Sequence, residues 1–413
     1  MFDNLEVNIA GGLDIPLPTM HKIRQSFDRH VIDDVEAAVA AQCARPEIVS
    51  TIKPGASIAI GVGSRGVANI QAAVRAIVKA VKAAGGKPFI FPAMGSHGGA
   101  TVQGQTSVLA NYGITEDLVG APVRATMETV VVTTMSDGTS LHMDRFAHEA
   151  DGVILINRIK PHTTFRGPIE SGLIKMMIIG MGKISGATIM HSDHGMDRFP
   201  DVLPAAAEAL MPHINFLFGV GLIEDAYDNT AIAEAVLGRD LVVREKALQE
   251  KAKSLMARIY FDEIDVLIIE KIGKEISGAG MDPNITGRNN RGVTGFDRPK
   301  VEKIVVLDLT DITHGNATGL GVADVITKRL FDKIDFSITY ANVIASAYLD
   351  GGYIPIVMPN EADAIRLAVK TTPRVRPQDS RIVRIRDTLS LGEIEVSDAL
   401  LAQVEAHPQL SMC

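Results

Sequence analysis

The 413-residue chain has no tryptophan, and only 5% of its residues are aromatic. That scarcity argues against a stacking platform for single-stranded nucleic acid. Positive charge is also short, with 41 Lys and Arg against 49 Asp and Glu and a net charge of −8. A general nucleic-acid surface is therefore not expected. Cysteine occurs twice, at Cys43 and Cys413, which provides neither a disulfide framework nor a cysteine-based metal site. No apolar run reaches the length of a membrane span, and the opening MFDNLEVNIAGGLDIPLP lacks the basic and apolar regions of a signal peptide. These absences lead to the expectation of a cytoplasmic protein with no nucleic-acid or membrane partner.

What is present fits a globular chain: 46% hydrophobic and 22% charged residues, at a length sufficient for two or three domains. The run SIAIGV (57–62) reads as a strand, turned by Gly63-Ser64-Arg65-Gly66 into a helix over 67–84. Gly85-Gly86 then precedes a second strand at 88–91. This is βαβ spacing, typical of a parallel sheet. Residues 121–150 read as an antiparallel excursion with a strand at 130–133 and a turn at Asp137-Gly138. Strands follow at 151–156 and 216–223, and helices at 201–210 and within 239–260. A second α/β unit begins near 255–262, with strands at 265–270 and 305–309 and helices at 322–331 and 362–369. The expected fold class is α/β, with two α/β domains, mainly parallel sheets and the active site in the cleft between them. The boundaries drawn are 1–258, 259–390 and a tail at 391–413. A helix over 397–406 lets that tail pack back on the first domain.

Polar residues cluster where strands should end, which is where α/β folds bind ligands. Gly63-Ser64-Arg65-Gly66 offers backbone amides and a hydroxyl at a helix N-terminus, and Arg65 adds a bidentate donor for carboxylate or phosphate. His97 sits among glycines in Gly95-Ser96-His97-Gly98-Gly99, where nothing crowds the backbone. The segment 157–194 follows the strand DGVILI and carries His162, Lys175 and His191. Lys175 lies between Gly172-Leu173-Ile174 and Met176-Met177-Ile178-Ile179, where burial is expected and an unpaired ammonium is costly. Its alternative is a helix edge with the ammonium in water. Glu224 and Asp225 read equally as a supporting contact or a solvated turn, whereas His142 and His148 read as structural.

Arg65, His97, His162, Lys175 and His191, in that order and spacing, resemble the nickel-dependent lactate racemase family. The resemblance implies that Lys175 is covalently joined to a nickel-pincer nucleotide, a thioamide derivative of a pyridinium mononucleotide, and that His191 ligates nickel. It implies acid/base roles for His97 and His162 and a substrate-anion role for Arg65, with Ser64 and Gly172 as further cofactor contacts. Lys183 lies on the wrong side of the motif. Hydride would pass from C2 of a 2-hydroxy carboxylate to the cofactor and return to either face, inverting the centre. Enzymes that build the cofactor would be the partners.

Departures from the family accompany the match. Val62 stands where some members carry an acidic residue, and the stretch from His162 to Lys175 is longer, implying an insertion around 163–168. In the second unit the loop 278–288 keeps Asp282 and Asn284, but Gly287 and Asn290 stand where relatives have glutamine and lysine. Lys274, Arg288 or Arg291 would supply the missing cation. The absent side chain at Gly287 implies room for a substrate larger than lactate, an aldonate or a hydroxy diacid. Two other classes compete: a metal-dependent lyase or hydrolase using His162, His191, His194 and Asp193, and a non-catalytic anion-binding protein on the same fold.

Overall fold

The computed structural model describes residues 9–63, 66–346 and 348–413. Strands are β1 (Met20–Gln25), β2 (Ser57–Val62), β3 (Lys87–Pro92), β4 (Thr129–Thr134), β5 (Ser140–Asp144), β6 (Gly152–Arg158), β7 (Phe216–Glu224) and β8 (Thr230–Leu237). They continue with β9 (Glu263–Ile272), β10 (Lys300–Leu309), β11 (Val325–Thr327), β12 (Ile356–Met358), β13 (Ile382–Ile385), β14 (Glu393–Ser397) and β15 (Leu410–Met412). Four helices matter below: α1 (Ile70–Ala83), α2 (Lys183–His194), α3 (Phe199–Leu210) and α4 (Leu241–Leu255). The chain divides into two compact units, Asp28–Met256 on one hand and the stretch ending at Phe27 together with Ala257–Cys413 on the other. Both are α/β, and their sheets are mainly parallel.

In the unit Asp28–Met256 one sheet runs β3-β2-β6-β7-β8. Its first four strands are parallel and β8 closes it antiparallel. Successive side chains of a strand point to opposite faces. Ile58, Ile60 and Val62 therefore feed one core, while Ala59 joins Phe89, Phe91, Val153 and Leu155 in another. Burial on both faces explains why these strands read as unbroken apolar runs. α1 covers the first face through Ile70, Val74, Ile77, Val78 and Val81. Its end is fixed by Gly85 at φ +81°, where the Gly85 and Gly86 amides donate to the Lys82 and Val81 carbonyls. α3, α4 and the segment 173–178 pack on the opposite face.

The strand order carries a topological switch. From β2 the chain moves to β3 on one side and later returns to β6 on the other. A crevice at the carboxyl ends of β2 and β6 is the expected ligand site of such a sheet. Gly63 ends β2 there, and Asn157, near the end of β6, brings its side-chain oxygen within 3.1 Å of where a Gly63 Cβ would lie.

The other unit holds a sheet in the order β12-β11-β10-β9-β13-β14-β1-β15. β12 to β13 are parallel, and β14, β1 and β15 extend it antiparallel. Two expectations change here. The chain's start does not stay with the first domain, because β1 pairs with β14 and β15. The tail likewise pairs with β13 and β1 and so belongs to this unit's sheet. A further difference is β11, a strand where a helix over 322–331 was expected. Val-Ile-Thr favours an extended chain, and Thr327 then caps the helix that follows by accepting from the Leu330 amide.

Among the described residues no single helix is long and apolar enough to cross a membrane. The apolar pair Leu173–Gly180 and α2 is bent by 103°.

Candidate functional site

Beyond β6 the chain makes a loop over 159–172, a short α turn (Leu173–Lys175), a π turn (Met176–Gly180) and then α2. π turns inside helices are frequent at functional sites. Lys175 ends the α turn, half-buried, with its neighbours Leu173, Ile174, Met176 and Met177 all in the core. Its Nζ lies 2.6 Å from His162 Nε2. The His162 ring stacks on Phe165 at 4.3 Å, and Lys175 Nζ sits 5.5 Å from the same ring centroid. Phe165 meets Phe199 edge-on at 5.7 Å, and Phe199 supports His191 at 4.9 Å. Lys175, His162 and His191 thus gather around two phenylalanines. Burial lowers the His191 pKa, which favours the neutral imidazole with a lone pair for a ligand.

The other expected residues are placed differently. His97 lies exposed on a separate loop after β3, in a turn where Gly98 and Gly99 adopt φ of +64° and +63°. Ser64 and Arg65 lie outside the described residues. Gly172 was expected to approach a ligand, but a Cβ there would fall 2.2 Å from Glu245 Oε1. The missing side chain makes room for that carboxyl. His194 turns away, with Nε2 at 3.0 Å from Thr139 Oγ1 and 3.6 Å from Asp137 Oδ2, while Asp193 is exposed and accepts from Ser192. Those two therefore do not join His162 and His191 in one ligand set.

The fully buried lysine is Lys183, not Lys175. It is 0% exposed, donates to the Pro92 carbonyl and Gln105 Oε1, and pairs with Asp144 at 3.1 Å. Burial lowers its pKa and raises that of Asp144, and the pairing opposes both shifts. Gln105 in turn donates to the Met94, Gly95 and His97 carbonyls, so this buried group holds the loop that bears His97.

Residues the sequence reading missed support the centre. Glu170, fully buried, accepts from the His162 amide at 2.7 Å and the Gly167 amide at 3.1 Å. Lys253 of α4 pairs with it at 3.0 Å and also donates to the Gly167 carbonyl. Glu245 accepts from the Ile174 amide at 3.0 Å, and complete burial pushes its pKa up to about 8. A signal existed: Glu245 and Gln249 share the buried stripe of α4 with Leu241, Leu248, Ala252 and Leu255, where polar residues are rare. Glu224, at the end of β7, accepts from the Ala68 amide at 2.6 Å and pairs with Arg158, which fixes the chain just after the β2 loop.

In the other unit the expected substrate cations differ. Arg288 is spent on the fold: it pairs with Asp324 at 2.5 Å and donates to the Val322, Val301 and Glu302 carbonyls. Lys274 donates to the Gly278 carbonyl at 2.7 Å. Gly287 has φ +65°, and a Cβ there would lie 1.7 Å from the Pro299 carbonyl oxygen. Glycine at this position answers to backbone packing, and the inference of an enlarged pocket from it does not hold.

Residues 52–245 match a family model described as a domain of unknown function, DUF362. No curated protein matches the chain. Solved structures similar to it include two at 12% identity and a TM-score of 0.46 each. One is a protein from Thermotoga maritima, covering 68% of this chain and 72% of that one. The other is the lactate racemase apoprotein from Thermoanaerobacterium thermosaccharolyticum, covering 84% and 99%.

Proposed function

We propose that this chain is a racemase or epimerase that inverts C2 of a 2-hydroxy carboxylate with a nickel-pincer nucleotide tethered to Lys175. The observation that carries the reading is the meeting of Lys175 Nζ with His162 Nε2, on the same aromatic shelf as His191. The residues present fit the group. Lys175 would supply the amine for the tether, and one neutral imidazole suits a nickel ion whose remaining donors would come from the nucleotide. When bound, the nucleotide would supply a hydride acceptor.

The chain's own side chains do the rest. Lys175 and His191 would hold the group at two points. With Lys175 Nζ held in the tether, its lone pair would no longer be offered to His162, and Nε2 would be left to exchange a proton with the substrate hydroxyl. His97 serves the opposite face in this reading, and Arg65 binds the carboxylate. Phe165 and Phe199 exclude water from one side.

The test is co-expression with the enzymes that make the cofactor, followed by peptide mapping and a panel of C2-deuterated 2-hydroxy acids. The panel includes lactate, hydroxy diacids and aldonates. An adduct on Lys175 and inversion with deuterium kept at C2 are expected. Exchange of the label with solvent would reject the hydride route, and an adduct on Lys183 would reject the tether.

A further inference from the structure

His162 presents its two ring nitrogens to different partners. The Thr164 amide donates to Nδ1 at 3.0 Å, and Nε2 meets Lys175 Nζ at 2.6 Å. A nitrogen that accepts a backbone N–H carries the lone pair. The neutral ring must then hold its proton on Nε2 and donate it to Lys175 Nζ, which accepts only as the neutral amine because an ammonium has no lone pair. This arrangement depends on the backbone at 162–164 keeping its course, in a loop lengthened by the residues around 163–168.

The loop is closed from its far end. Glu170 is fully buried, and its carboxylate spans the base of the loop by accepting from the His162 and Gly167 amides. Lys253 pairs with that carboxylate and donates to the Gly167 carbonyl, and Arg166 approaches it at 3.8 Å. The Glu170 amide donates to Gln249 Oε1 at 3.4 Å. Helix α4 thus grips the loop through Gln249 and Lys253, one turn apart on one face.

We propose that Glu170 is a positioning residue for the site: its clasp with Lys253 closes the 162–170 loop and holds His162 as the Nε2–H tautomer facing Lys175. The proposal rests on the reading of His162 and Lys175 as the functional pair. Glu170 acts through His162 and touches no reacting group. An amide in its place could accept one of the two N–H groups, but its NH2 would face the other or the Lys253 ammonium.

The test uses the full chain without cofactor, with nitrogen NMR of the histidine side chains and His162 assigned by substitution. The wild-type protein should show His162 as a single tautomer, protonated at Nε2. Glu170→Gln and Lys253→Met should lose that pattern, and Lys253→Arg should retain it. Lys253 is partly exposed, so Lys253→Met provides the answer if Glu170→Gln fails to fold. A wild-type ring protonated at Nδ1, or an unchanged pattern in Lys253→Met, would overturn the proposal. If the tautomer responds as expected but co-expressed protein has no adduct on Lys175, the positioning role stands and the racemase reading falls.

Discussion

Lys175 Nζ lies 2.6 Å from His162 Nε2 across thirteen residues of sequence, with Phe165 packed under both. The loop between them does not separate the pair. It folds back on Glu170 and supplies the aromatic surface on which the two side chains meet.

His191→Ala should keep the nucleotide adduct on Lys175 while nickel is lost or held loosely, since tether and ligand are separate bonds. Metal analysis of the co-expressed variant beside intact mass checks this. His194 cannot substitute without leaving Thr139. Undiminished nickel would require that it had done so.

Lys183→Met removes one partner of a fully buried pair and leaves the Asp144 carboxylate uncompensated. Breaking such a pair costs about 3–5 kcal/mol. Denaturant unfolding at neutral pH should show a loss of that order. The loss should shrink on acidification, because burial already favours the protonated form of Asp144 and protonation removes the unpaired charge.

Glu245 gives the wild-type protein its own pH dependence. Its carboxyl titrates near 8 in the fold against an ordinary value of 4.5. Between those values the folded state holds a proton that the unfolded chain has released, so stability falls as pH rises through the window. At ~1.4 kcal/mol per pH unit the decline is on the order of a few kcal/mol by pH 8. Glu245→Gln, neutral throughout, should flatten the slope and be the more stable protein at pH 9. Parallel pH–stability curves for the two proteins would contradict this account.

In the other unit Arg288→Ala should lower stability by roughly 1–3 kcal/mol, because it strands Asp324 and the three carbonyls that the guanidinium serves. KM in the folded variant should stay within a small factor of wild type. Gly287→Ala should destabilise as well, since its Cβ would collide with the Pro299 carbonyl. A change in substrate preference with intact stability would restore both residues to a substrate role.

The sequence by itself determined the elements of the sheet and the order of the chemistry-bearing residues. Runs such as SIAIGV and DGVILI are apolar on both faces because both faces are buried, and Gly85-Gly86 stops α1 by local backbone geometry. Signals of this kind are carried by adjacent residues or by one helical period, so they survive without the fold. Only the tertiary structure decided which lysine is buried, since Lys183 depends on Asp144 and Gln105, brought to it from other elements. It also decided that β1 joins β14, 377 residues away in sequence at Met20 and Ser397, because strand pairing is set by backbone hydrogen bonds that leave little trace in so short a segment. Gly172, Gly287 and Arg288 owe their roles to one close neighbour each across the fold: Glu245 Oε1, the Pro299 carbonyl and the Asp324 carboxylate. Contacts of that kind depend on distances of a few ångströms between segments far apart in the chain, and residue type and spacing do not encode them.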